Sequence, residues 1–302
     1  MFGAICGDVL GAPYEVNTVT FKDFILLADN SRYTDDTVCT LAVARSILDG
    51  TFDFAASLRR WGRHFQAPYG NLFEAWIWSD APSNNSAGNG SVSRVGAIPW
   101  LADSLEQTLE WAAASAMTSH RHPDSVDAAC AATAAAWLAI EGWPKDRVCD
   151  VIEASIGYDL TTPLDNIRPD FGFRLLASET APVGIRAVLE GTDFEDVMRL
   201  AISMGGDADT IAAVAGGIAE AYYPIPRDMR DHVFRRLPPE VRQALVEFNA
   251  RKRPVSEPRE PSNAEVMAAI DLIRTRVRHW RDVIDAGPVP FPSRCRKAVV
   301  HT

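Results

Sequence analysis

Two short runs concentrate the oxygen ligands of this chain, Thr34-Asp35-Asp36-Thr37 and Gly205-Gly206-Asp207-Ala208-Asp209-Thr210. Each sets two carboxylates and flanking hydroxyls beside an apolar run, and no Lys or Arg falls between Arg32 and Arg45 or between Arg199 and Arg227. Carboxylates in apolar surroundings must protonate, pair with a base or bind a cation, because an isolated buried charge costs too much. Hydroxyl and carboxylate oxygens without His or Cys are hard donors, which favours Mg²⁺, Mn²⁺ or Ca²⁺ over Zn²⁺. Helix N-caps would account for the same residue types, since Ser, Thr and Asp suit that position and its dipole. A cap needs one acceptor, however, and each run offers three or four. If the fold joins the runs, they can hold two ions about 3.5–4 Å apart, the spacing of two-metal hydrolases.

Three further segments carry candidate chemistry. Gly3, Gly7 and Gly11 recur every four residues, which lets one helix pack closely on another, while Asp8 and Glu15 bracket an expected turn at Pro13 and Glu15 is a candidate proton-transfer group. Gly88-Asn89-Gly90-Ser91 reads either as a plain loop or as a backbone that approaches a pyrophosphate with its N–H groups. His120 and His122 have metal-like spacing but no Cys or third His beside them, so zinc is not expected and a ligand-contacting or surface imidazole is.

The elements that must position these groups read as helices almost throughout. Val38–Leu48, Leu58–Phe65, Leu101–Leu109 and Val197–Met204 keep apolar spacings of three and four. Asp124-Ser125 suggests the cap of an alanine-rich helix that stops at Gly142, and Thr210–Tyr222 a second small-residue helix whose Gly216-Gly217 pair costs about 1 kcal/mol per glycine unless something packs on it. Asp80 to Gly90, rich in Ser, Asn, Pro and Gly, is expected to be a surface turn near the site. Asn263–Asp285 again reads as helix, followed by a proline-bearing tail with a basic patch at Arg294-Cys295-Arg296-Lys297. The division expected is one domain over residues 1–249, with 250–302 an appended helix and tail.

A chain of 302 residues that is 47% apolar can bury a substantial core. A net charge of −10 disfavours nucleic acid and anionic membranes as partners and leaves a small molecule or a modified protein. Five cysteines at irregular spacing, with no CxxC pair, suggest neither disulfides nor a thiolate metal site, so a reducing, cytoplasmic setting is expected. No signal peptide is expected before Gly3, and the longest apolar run, Ala128 to Ile140, is too short to span a membrane. Arg greatly outnumbers Lys, a bias common in GC-rich bacterial coding sequence.

Four blocks, GAICGDVLGAPYE (Gly3 to Glu15), YTDDT (Tyr33 to Thr37), SAGNGSVSR (Ser86 to Arg94) and SMGGDADTIAAVAGGIAEAYYPIP (Ser203 to Pro226), together resemble the ADP-ribosylglycohydrolase family over roughly residues 1 to 226. The resemblance implies an all-α orthogonal multi-helix bundle around a cleft with two Mg²⁺ or Mn²⁺ ions, and hydrolysis of ADP-ribose from modified protein side chains at ribose C1″. By position it implies that Thr34, Asp35 and Asp36 ligate one metal and Asp207, Asp209 and Thr210 the second, with Asp209 bridging. It also implies that Ser86, Gly88, Asn89, Gly90 and Ser91 form the ADP-ribose loop, that His120 lies near the distal ribose, and that Glu15 acts at the scissile bond. Ser93 stands where a methionine is usual, Ala87 where some relatives carry a larger group, and Ser86 where some carry a carboxylate, which shifts the proton-transfer burden to Glu15.

Two rival activities share these residues. A two-metal phosphohydrolase would use the same aspartates but lacks a Lys or Arg beside either run to hold phosphate. A non-catalytic or dual-function binding protein of the same fold, such as an immunity protein that both erases a toxin's ADP-ribosylation and physically blocks the toxin, would keep the same ligands and could use residues 250–302 as its contact surface.

Overall fold

The computed structural model describes residues 1–287, and among them the chain is all-α, with sixteen helices and only isolated bridges of β type. In order these are α1 (Phe2–Val16), α2 (Asp35–Leu48), α3 (Phe54–His64), α4 (Asn71–Ile77), α5 (Gly90–Ser93), α6 (Ile98–Leu101), α7 (Leu105–Ser119) and α8 (Pro123–Ile140). There follow α9 (Lys145–Ile156), α10 (Leu164–Phe171), α11 (Ala177–Glu190), α12 (Phe194–Ile202), α13 (Ala208–Tyr222), α14 (Arg227–Arg236), α15 (Pro239–Arg251) and α16 (Asn263–Asp285). The basic patch at Arg294 to Lys297 lies outside the described residues.

Three helices built from small residues form the centre. α1, α8 and α13 are buried on nearly every side, as helices without a polar face must be. α1 and α13 run antiparallel at very short range: a Cβ on Gly3 would lie 2.1 Å from Gly216 O, one on Gly7 1.9 Å from Ala212 O, and one on Gly11 2.5 Å from Asp209 Cα. The glycine spacing and the Gly216-Gly217 pair thus answer each other across one interface. Its far end is pinned by Glu220, which accepts from the Gly3 N–H at 2.8 Å and pairs with the Met1 ammonium at 3.0 Å and Lys252 at 3.1 Å. Burial works against that carboxylate, but these partners overcome it and hold it at about 2.

Local details depart from the sequence expectations in three places. α1 continues through Pro13 to Val16 instead of turning there, because so near a helix end the proline deletes a single backbone bond. The Leu101-Leu105-Leu109 spacing spans two helices: the chain breaks at Ala102, and Ser104 caps α7 by accepting the Gln107 N–H at 3.1 Å. α8 begins at Pro123, with His122 rather than Asp124 as its cap, accepting the Asp124 N–H at 3.2 Å.

α16 packs against α7, α8 and α9, burying Ile270, Ile273, Val277 and Trp280. Its Arg281 pairs with buried Asp127 of α8, and Arg274 donates to Ala154 O at the end of α9. The segment leading to it is fastened to α6 by Arg253 N–H to Trp100 O (3.0 Å) and to the end of α8 by Ser256 N–H to Ile140 O (2.8 Å) and Arg259 N–H to Gly142 O (2.8 Å). Cys6, Cys39, Cys130 and Cys149 are free thiols. No described helix is long and apolar enough to cross a membrane.

Candidate metal centre and glycine loop

The two oxygen-rich runs begin two neighbouring helices, and the structure brings them together. Thr34 caps α2: its Oγ1 accepts the Asp36 N–H at 3.3 Å and donates to Asp8 Oδ1 at 2.6 Å. The cap satisfies one acceptor only, and Asp35 and Asp36 project from the first turn beyond it. At α13 the arrangement differs. Asp207 occupies the cap position without using its side chain as a cap, and its carboxylate instead accepts Asn89 Nδ2 at 2.7 Å. Gly205 and Gly206, both left-handed at φ 75° and 65°, turn the chain into that position, and a Cβ on Gly206 would meet Gly172 O at 2.5 Å.

Carboxylate oxygens of Asp8, Asp36 and Asp209 lie within 4.8 Å of one another, as do those of Glu15, Asp207 and Asp209. Asp209 belongs to both groups. Thr210 Oγ1 donates to Asp36 Oδ2 at 2.8 Å and so ties α13 to α2, while the Thr210 N–H donates to Asp209 Oδ1 at 2.9 Å. Among the described residues no Lys or Arg pairs with any of these carboxylates. Burial, followed by the charges of Asp8, Asp207 and Glu15, pushes Asp35 up to about 7. Burial and then Asp35, Asp8 and Asp207 raise Asp36, and burial with Asp207 raises Asp209. Glu15 is raised by burial and by Asp207, with Arg32 opposing. These groups cannot all ionise without a counter-cation, and their donor set is wholly hard oxygen, which fits divalent ions of the Mg²⁺ or Mn²⁺ kind.

Asp8, which the sequence shows only as one of two acids flanking Pro13, takes its role from the fold. It is fully buried and accepts four hydrogen bonds, from Thr34 N–H (3.0 Å), Thr34 Oγ1, Thr37 N–H (3.1 Å) and Thr37 Oγ1. Four donors fill the lone-pair positions of a carboxylate. Burial nonetheless raises Asp8. It serves here as the pin between α1 and the start of α2, holding Asp36 from behind. Its signal in the sequence is a single acid in a small, apolar helix, with Ala4, Ile5, Gly11 and Ala12 one turn away. Ser93 is a second such residue: its hydroxyl donates to Asp36 Oδ1.

The glycine loop lies against this cluster. Asn89 bridges to Asp207 and also donates to Thr180 Oγ1 at 3.1 Å, which fixes the loop to α11. The Gly88 N–H donates to Ser86 Oγ at 3.1 Å and the Asn89 N–H to Leu175 O at 2.9 Å, so these two amides are committed inside the protein. Ser91 Oγ donates to Gly88 O at 3.0 Å and Ser125 Oγ to Ser86 O at 3.0 Å. His120 is buried beneath the loop, its Nε2 3.5 Å from where a Gly88 Cβ would stand. His122 caps α8 and stands apart. Glu15, the two oxygen-rich runs, the Ser86–Ser91 loop and His120 therefore converge on one region from α1, α2, α5, α7 and α13.

Comparison with known proteins bears on this arrangement. A family model described as ADP-ribosylglycohydrolase matches residues 1–260. The chain is 26% identical over 263 residues to the ADP-ribosylarginine hydrolase Tri1 of Pseudomonas putida (strain GB-1), covering 74% of this chain and 70% of that protein. It is 23% identical over 300 residues to the ADP-ribosylhydrolase ARH3 of Xenopus tropicalis, covering 74% and 85%. A solved structure described as an ADP-ribosylglycohydrolase-related protein complex superposes with a TM-score of 0.60 at 27% identity, covering 83% of this chain and 95% of that one.

Proposed function

The chain belongs to the ADP-ribosylglycohydrolase family, and from that premise we propose that it is a metal-dependent hydrolase removing ADP-ribose from modified protein side chains by cleavage at ribose C1″. The observation that carries the proposal is the pair of carboxylate groups sharing Asp209, set beside the Ser86–Ser91 loop without a cationic partner. Two ions would be held by Thr34, Asp35 and Asp36 on one side and by Asp207, Asp209 and Thr210 on the other, with Asp209 common to both. Bound there, Mg²⁺ or Mn²⁺ would supply Lewis-acid polarisation and a nucleophilic water at neutral pH.

The chain's own residues supply the rest. Asp8 of α1, saturated by Thr34 and Thr37, fixes the start of α2 so that Asp36 meets Asp209 at the start of α13. Asn89 holds Asp207 in place and anchors the loop that would accept the ADP-ribose. Glu15 is raised by burial and by Asp207, which suits a group that passes a proton at the scissile bond. A phosphohydrolase reading is disfavoured because no described Lys or Arg pairs with the cluster to hold a phosphate.

The test is release of ADP-ribose from arginine-linked, serine-linked and O-acetyl-ADP-ribose substrates, with and without Mg²⁺ or Mn²⁺, alongside Asp209→Ala. Metal-dependent release that the variant loses supports the hydrolase and names its linkage. Tight ADP-ribose binding without release from any substrate would replace it by a binding protein, such as one that blocks an ADP-ribosylating toxin.

A further inference from the structure

Arg94 is fully buried, yet its guanidinium meets only neutral acceptors among the described residues. Nε donates to Ser115 Oγ at 3.2 Å, one terminal nitrogen to Ser119 Oγ at 2.9 Å, and the other to Ser115 O at 2.5 Å and Ala116 O at 3.4 Å. A guanidinium has donors and no acceptor, so Ser119 Oγ must accept from it. The other neighbour of that hydroxyl is Nδ1 of His120, at 2.8 Å. Ser119 has one hydrogen to give, and the Ser115 carbonyl one turn back has both lone pairs engaged, by Arg94 and by the helical N–H of Ser119. The hydroxyl therefore donates to Nδ1, which requires a lone pair there and places the proton of the neutral ring on Nε2.

We propose that Arg94, acting through Ser119, holds His120 as its Nε2–H tautomer, so that the imidazole is a fixed hydrogen-bond donor to an oxygen of bound ADP-ribose. The ligand half of this inference rests on the proposed function; the tautomer half rests on geometry alone. Arg94 and Ser119 touch no ligand and are positioning residues.

The surroundings of Nε2 agree. A Cβ on Gly88 would stand 3.5 Å from it and one on Gly90 3.6 Å, so the two glycines leave that edge of the ring uncovered. Nε2 makes no hydrogen bond to a described residue, which leaves its proton for a ligand. The reverse tautomer would give the buried Ser119 two donors, no acceptor for its own hydrogen, and a ring edge facing the glycine loop that could only accept. Burial, and then the nearby charge of Arg94, push His120 down to about 3, so the donor is a neutral ring rather than an imidazolium. A neutral donor suits the oxygens of a nucleotide sugar, because it orients them without adding a charge beside the carboxylate cluster.

Ring-nitrogen NMR of histidine-labelled full-length protein tests the wiring, with His120→Gln used to assign the signal. The expected spectrum of ligand-free wild type shows a protonated Nε2 and a bare Nδ1 from pH 5 to 8. Ser119→Ala should turn this into a tautomer mixture and weaken ADP-ribose binding by about 3- to 10-fold, the value of one hydrogen bond, and Ser119→Thr, which keeps the hydroxyl, should restore both. A protonated Nδ1 in wild type, or a His120 spectrum unmoved in Ser119→Ala, overturns the proposal. A shifted spectrum with unchanged ADP-ribose affinity overturns the donor role toward the ligand. No ADP-ribose binding by wild type overturns that role together with the proposed function, while the ligand-free spectrum still decides the tautomer.

Discussion

Asp36 is shaped by three neighbours: Ser93 of α5 donates to one carboxylate oxygen, Thr210 of α13 to the other, and Thr34, the cap of its own helix, takes its backbone N–H. Groups behind a metal ligand orient it and set its basicity, and losing one typically costs 10- to 100-fold in affinity. Ser93→Ala is therefore expected to weaken Mn²⁺ binding by about tenfold with little change in melting temperature, read by titration calorimetry. Unchanged affinity would mean that the hydroxyl does not organise Asp36. The cluster also has a pH signature. Asp8, Asp36 and Asp209 are raised and Asp35 is pushed up to about 7, all above their unfolded values. An acid raised in the folded state gives stability that is complete below its unfolded pKa, near 4, and is lost as pH climbs through the folded value. Metal-free protein should therefore weaken from about pH 4 to pH 7 and above, whereas bound divalent ions compensate the charge. The gap in melting temperature between metal-loaded and chelator-treated protein is expected to widen from pH 5.5 to pH 8. A constant gap would show that these carboxylates do not hold the ion.

Helices α1 and α13 carry the site because their backbones nearly touch. Gly7 lets Asp8 approach the turn that presents Asp209, and a Cβ at Gly7 would fall 1.9 Å from the Ala212 carbonyl, a backbone atom with no rotamer to move. Gly7→Ala should cost about 1–3 kcal/mol or more through overpacking and should lower metal affinity, since separating the helices separates their carboxylates. Gly70→Ala is the control, at a position with nothing within 4 Å. Equal melting temperatures and metal contents for the two variants would refute the close-approach argument. This interface was legible in the sequence, because Gly3, Gly7 and Gly11 recur at helical spacing and Gly216-Gly217 otherwise has no reason to sit in a helix. The oxygen-rich runs were legible too, being local and free of bases. What escaped depended on tertiary partners: Asp8 reads as one polar residue in a small helix until Thr34 and Thr37 close on it, and the Arg94 contacts need Ser115 and Ser119 one turn apart on α7. Periodicity also ran past the Ser104 cap, since Leu101, Leu105 and Leu109 hold their spacing across the break.

At the scale of the molecule, the question is whether residues beyond about 250 belong to the body that holds the site. α16 lays one apolar face on α7, α8 and α9, and the preceding strap fixes the end of α8, where a Cβ on Gly142 would meet Glu257 O at 2.2 Å. Burying Ile270, Ile273, Val277 and Trp280 is worth about 1.5–3 kcal/mol each, before counting the surface they cover on the other helices. That sum is comparable to the whole stability of a domain, about 5–15 kcal/mol. Removing α16 would also strip Arg281 from Asp127, a carboxylate whose burial already raises it despite that partner. A chain ending at Pro261 is therefore expected to melt far lower than the full chain, to expose α7 and α8 to apolar dyes, and to lose bound metal, because α8 packs directly on α13, which carries Asp209 and Thr210. A truncated chain that melts within a few degrees of the full one and keeps its metal would instead identify the C-terminal segment as an appendage, free to serve a partner without supporting the site.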